Sequence, residues 1–212
     1  MSTRRRLREN LAAFLKEGNF AAVVELSGRE KAVAEVLLQF LYNPRDILQW
    51  RALEGLGQVA GAHPDQVRPM INRLLWLLNE DSGSFGWGAA AALGEIGRRQ
   101  ITLIRDIIPM FCGFLWEEFS REPMLWGIGR LAEAHPEAVR EIIPHVAPYL
   151  RDDEAQVRGL SAWCLGKMGA GEAREAIQGL VADPESVIVY EKGELRRTTV
   201  GELAREALAR LN

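Results

Sequence analysis

Two stretches of the chain, AAAALGEIG at 89–97 and SAWCLGKMG at 161–169, carry nearly the same nine-letter pattern, and this repetition constrains the fold more than any other feature. Related copies stand at 53–60, LEGLGQVA, and at 128–135, IGRLAEAH. The anchoring leucines Leu56, Leu93, Leu131 and Leu165 lie 37, 38 and 34 residues apart, the period of stacked helical pairs. After each anchor comes a small residue, Gly57, Gly94, Ala132 or Gly166. Four residues before each stands Ala52, Ala89, Gly127 or Ser161. A small side chain one turn from the leucine lets a neighbouring helix approach closely, so these segments are read as the first helix, A, of each unit.

A second segment follows each A helix: QVRPMINRLLWLL, LIRDIIPMFCGFL, AVREIIPHVAPYL and AREAIQGLVAD. Its apolar residues recur at helical spacing, for instance Ile104, Ile107, Ile108, Phe111 and Leu115, which makes it the partner helix, B. The turns AHPD at 62–65 and AHPE at 134–137 put proline at a first helical position with an acid in the first turn. Pro109 and Pro144 fall inside B segments, where they kink a helix or mark its true start.

The pattern V-R-x-x-[AS]-A-x-x-L-G-x-h-G, carried almost whole by VRGLSAWCLGKMG, resembles the HEAT repeat. Its nearest likeness is the short bacterial HEAT-like repeats also found in phycobilisome bilin lyases. The resemblance covers roughly residues 45–183 and weakens at 121–153, where Pro123 and Ala132 depart from it. It implies an all-α fold, a right-handed αα superhelix of the HEAT/armadillo solenoid class. The whole chain, 1–212, then reads as a single HEAT-like domain. A divergent amino-terminal capping pair spans 5–44, built from LRENLAAFLKEG and REKAVAEVLLQFLY; four units span 45–183; and 184–212 holds a hairpin plus a capping helix. The hairpin is read from SVIVYEKGELRRTT, which alternates apolar and polar residues around Lys192-Gly193. TVGELAREALARL follows and opens with a capping box, Thr199 to Glu202.

Composition narrows the function. A net charge of −3 gives no global basic field to hold nucleic acid through its phosphates. The longest apolar stretch, IIPMFCGFLW, is too short to span a bilayer. The run LAAFL stops at Lys16 and Glu17, short of a secretory core, so the expected compartment is the cytoplasm. Cys112 and Cys164, far apart and outside any metal-binding spacing, suit a reducing environment. His63 and His135 occupy the same loop of two units and His145 lies beside Pro144, so all three read as turn and helix-end residues. No H-E-x-x-H, P-loop or G-x-S-x-G motif occurs, and the His-Glu pairs of diiron HEAT-like hydroxylases are missing. No catalytic, cofactor-binding or metal-binding residue is assigned.

Two sets of residues are candidates for binding. Arg68, Arg105, Arg140 and Arg174, one per B segment, form a ladder. It reads either as a cationic stripe for an acidic peptide or phosphate chain, or as pairing with the acids Asp106, Glu141 and Glu175 that follow. On the A helices, the HEAT-like pattern puts an outward-facing pair of positions six and two residues before the anchor. Trp50, Trp87, Leu125 and Trp163 occupy positions of that row, with Trp126 one residue away, and the row reads either as a contact strip or as core. The expected function is a non-enzymatic protein-binding scaffold whose partner is another protein or a second copy of the chain, without membrane or nucleic acid. The HEAT-like class also contains alkylpurine DNA glycosylases and bilin lyases, which supply the enzymatic alternative.

Overall fold

A computed structural model describes residues 3–43, 46–79 and 87–211 of the chain, which divides into two compact units, Met1–Ile104 and Arg105–Asn212. Both are built of helical pairs, and the second carries a two-stranded antiparallel hairpin near the carboxyl end.

The first unit opens with α1 (Thr3–Glu17), α2 (Phe20–Arg29) and α3 (Val33–Leu37), the last running into a 3-10 turn at Leu38–Phe40. The sequence suggests two amphipathic stretches here, but three helices form. Gly18, at φ +66°, ends α1 in the left-handed region, and the Asn19 side chain accepts the Ala22 N–H at 3.1 Å to start α2. Pro44, the expected end of this cap, lies outside the described residues.

Asp46 caps the next helix, α4 (Ile47–Ala62), by accepting the Leu48 N–H at 2.9 Å; α5 (Pro64–Leu78) begins on proline; α6 (Trp87–Arg99) follows. His63 sits at the boundary of α4 and α5, the expected turn position. Leu56 and Leu93 are fully buried. The two A helices α4 and α6 nest closely: a Cβ added to Gly57 would stand 2.8 Å from Glu95 Cγ and 2.9 Å from the Glu95 carbonyl oxygen. Glu95 is itself buried, and Arg98 reaches its carboxylate at 2.5 Å one turn along α6, so the interior charge is paired.

The second unit comprises α7 (Phe111–Trp116), α8 (Glu118–Ala132), α9 (Ile143–Val146), α10 (Ala155–Met168), α11 (Arg174–Gln178), the strands β1 (Ser186–Glu191) and β2 (Glu194–Thr199), and α12 (Val200–Arg210). The A helices α8 and α10 are long, and α12 adds itself to α10 as the A helix of an incomplete last unit. A Cβ on Gly166 would stand 2.6 Å from Ala207 Cα.

The B segments of this unit differ from the expectation of one continuous helix each. They alternate 3-10 turns, at Arg105–Met110, Pro136–Ile142, Ala147–Arg151 and Gly171–Ala173, with the short α7, α9 and α11. Pro109, Pro144 and Pro148 have no N–H to give to a carbonyl four residues back, and their rings clash with it, so none of them continues an α-ladder from before it: Pro109 lies in the 3-10 turn ahead of α7, and Pro144 and Pro148 stand in the first turns of α9 and of the Ala147–Arg151 3-10 turn. Pro144 marks a true helix start. His135 lies at the start of the Pro136–Ile142 turn and His145 is exposed on α9.

The hairpin has the expected two-residue turn. Lys192 and Gly193 take φ of 52° and 83°, as a turn matched to strand twist requires, and the register runs from Ser186 opposite Thr199 to Glu191 opposite Glu194. Val187 and Val189 are buried, with Val187 lying over Gly159 of α10. The Thr199–Glu202 capping box forms on both sides and starts α12.

Candidate functional site

The most elaborate side-chain arrangement in the molecule is where the hairpin lies over the A helices of the second unit. Trp126 of α8 is fully buried, donates its indole N–H to the Tyr190 carbonyl at 2.9 Å, and meets the Tyr190 ring at a centroid distance of 6.1 Å. Trp163 of α10 donates to Glu191 Oε1 at 2.9 Å. One turn beyond each indole stands a cation over its ring: Arg130 lies 5.4 Å from the Trp126 centroid and Lys167 lies 5.0 Å from that of Trp163.

These cations open a chain of alternating charge. Arg130 pairs with Glu133 at 3.0 Å, Glu133 with Lys167 at 2.6 Å, Lys167 with Glu191 at 3.0 Å, Glu191 with Arg196 at 3.0 Å, and Arg196 with Glu206 at 2.8 Å. The chain ties α8, α10, both strands and α12 together. Burial alone would push the Glu191 carboxyl above its ordinary range. The hydrogen bonds from Trp163, Lys167 and Arg196, with the Lys167 charge, outweigh that and hold it below. A carboxylate with a depressed folded value stabilises the fold above its unfolded pKa, and the contribution fades as pH falls through the folded value. The stability lost in Glu191→Gln should therefore be full at pH 7 and should shrink below about pH 4, the ordinary carboxylate range. Melting temperatures of both proteins across that range check the sign.

Beside this chain, an open hollow of about 860 Å³ lies between the hairpin tip and the end of α12, bordered by Glu191, Lys192, Glu194, Arg196, Glu206 and Arg210. A second, of about 570 Å³, is bordered by Glu133, Lys167, Met168 and again Arg210. Charge-matched pairs of this kind fasten the hairpin; they present no nucleophile beside a base. Among the described residues no group of three or more histidine, cysteine, aspartate or glutamate side chains is placed to hold a metal. Cys112 and Cys164 are free thiols, both pushed up by burial.

The binding row read from the sequence is largely interior. Leu125, Trp126 and Trp163 are 0%, 0% and 3% exposed and belong to the core, so at these three positions the core alternative holds and the outward strip does not. The cause lies outside their own helices: a Cβ on Gly129 would overlap the Trp163 ring, so the indole fills space left by the missing side chain one repeat earlier, and the hairpin roofs both tryptophans. Trp50 is half-buried, and the Trp87 side chain lies outside the described residues. All four ladder arginines are exposed. Arg174 donates to the Leu211 carbonyl.

Among the described residues, the tryptophans that face solvent are on the B side. Trp76 of α5 is 58% exposed and Trp116 at the end of α7 is 72% exposed. In α5 the buried residues are Val67, Ile71, Leu74 and Leu78, so Trp76 falls between two core positions and off their stripe. That phase was the available sequence signal.

The A helices nest through small residues, Gly57 against Glu95, Gly129 against Trp163 and Gly166 against Ala207. Residues 119–168 match the HEAT-like repeat family. The match covers α8 through α10, the part of the chain in which Trp126, Gly129 and Trp163 interlock. An uncharacterized protein of Archaeoglobus fulgidus is 28% identical over 173 residues, spanning 79% of this chain and 91% of the relative. An engineered protein of solved structure superposes with a TM-score of 0.55 at 17% identity, covering 100% of this chain and 97% of that one. A designed armadillo repeat protein in complex with a (KR)4 peptide superposes with a TM-score of 0.53 at 15% identity over 100% of both chains. The fold is therefore all-α and HEAT/armadillo-like with one carboxyl-terminal hairpin. No helix of the described residues is long and apolar enough to cross a membrane.

Proposed function

We propose that the chain is a non-enzymatic scaffold that binds another protein through the B side of its repeats. The observation that carries this reading is the pair of large indoles left in solvent, Trp76 and Trp116, in a molecule that uses Trp126 and Trp163 inside. Exposed tryptophan is costly to leave in water and dominates binding energy when a partner covers it. Arg68, on the same helix as Trp76, and Arg105, in the B segment that ends at Trp116, add exposed cations to each contact. The designed armadillo neighbour holds a peptide, which supports peptide or protein binding on this architecture. The free thiols Cys112 and Cys164 favour the cytoplasm as its place.

The test is Trp76→Ser combined with Trp116→Ser. A partner identified by affinity purification from the native cell is purified and its affinity remeasured. A loss of at least about 30-fold, the effect of removing a hot-spot residue, with unchanged helicity is the expected result. Undiminished affinity would remove both residues from the contact.

A further inference from the structure

The two edges of the hairpin are treated differently. Gln156 of α10 closes the outer edge of β1: its Oε1 accepts the Ile188 N–H at 2.9 Å and its Nε2 donates to the Ile188 carbonyl at 2.7 Å. The Tyr190 carbonyl on that edge takes the Trp126 indole N–H. Ile188 therefore points its backbone groups away from β2, and in an antiparallel ladder its partner Arg197, like Leu195 opposite Tyr190, points its own away from β1. Thr199 confirms the parity, since its N–H leaves the ladder for Glu202 at 3.0 Å. Among the described residues nothing meets the outward N–H and C=O groups of Leu195 and Arg197. One edge is covered by side chains, and the other is left as an open template of two donors and two acceptors.

The charges around that open edge are unequal. Glu191 and Glu206 are committed to Lys167 and Arg196, and Glu194, which borders the same hollow, is engaged as well. Lys192 at the turn, Arg197 on the strand and Arg210 across the hollow have no ion pair among the described residues; the Arg197 guanidinium reaches only Ser186 Oγ, at 3.3 Å. Solvent-side Ile188, 41% exposed, stands directly across the strand pair from Arg197. We propose that β2 receives an extended acidic segment of a partner protein as a third strand. The incoming main chain pairs with Leu195 and Arg197, an acidic side chain lies beside Arg197, and alternate side chains descend into the hollow between β2 and α12. The proposal deepens the scaffold reading and draws on residues other than Trp76 and Trp116.

The probe is a six-residue peptide alternating valine and glutamate, compared with its valine–lysine counterpart, with the intact chain. Fluorescence anisotropy should give at least tenfold tighter binding of the acidic peptide, and hydrogen exchange should slow at the Leu195 and Arg197 amides and not at Ile188. Arg197→Pro removes an outward N–H without touching the hairpin ladder and should abolish binding, while Arg197→Glu should weaken it at least tenfold. Exchange protection of the Val187 and Val189 amides, which face β2, reports whether the hairpin stays closed in each variant, and Arg197→Glu keeps the test open if the proline variant unfolds. Equal binding of the two peptides, or unchanged exchange at both amides under saturation, would overturn the proposal. Failure of the Trp76 and Trp116 test would leave this result standing, since peptide and amides are read independently of them.

Discussion

Trp126→Ala should lower the stability of the second unit by about 3–5 kcal/mol, the range for emptying a large buried aromatic site. Four interactions go at once: the full burial of the indole, its hydrogen bond to the Tyr190 carbonyl, its contact with the Tyr190 ring, and the cation–π contact with Arg130. The hairpin should loosen first, because Tyr190 loses both its ring neighbour and the donor on its carbonyl. Chemical denaturation followed by far-UV circular dichroism measures the cost. Faster amide exchange across 186–199 reports the hairpin. A Trp126→Ala protein with an unchanged unfolding curve would mean that the hairpin does not roof this indole.

Leu93→Ala should cost about 2–5 kcal/mol, because it opens a cavity where the anchor of α6 is wholly buried. The site cannot collapse easily. Gly57 and Glu95 already hold α4 and α6 in tight contact, so neighbouring atoms have little room to follow the missing methyl groups. Equilibrium unfolding at constant pH checks it. A variant as stable as the parent would show that the leucine register of the repeats is misplaced.

What could be read in advance follows from how local each cause is. The A helices, the Lys192-Gly193 turn and the Thr199–Glu202 capping box depend on residues within a turn or two of one another, and each forms as the sequence says. The broken B segments were half legible: the prolines gave the break points but not the 3-10 geometry that fills the gaps between them. The tryptophan row stayed open between strip and core because helical phase places a side chain on a face without saying what covers that face. Trp163 is covered by an indole-sized space at Gly129 and by a strand 28 residues later in the chain, and neither fact lies in its own helix. Trp76 and Trp116 were passed over for the converse reason, since they stand in apolar segments where composition alone suggests burial.

The scaffold account is tested most directly by placing a photoreactive benzoylphenylalanine at position 76 or 116 and irradiating the native cells, with the exposed position 178 as control. The account predicts one discrete cross-linked protein from 76, 116 or both, absent from 178, with the variant still folded. Cross-linking at 76 and 116 that does not rise above the control would contradict it.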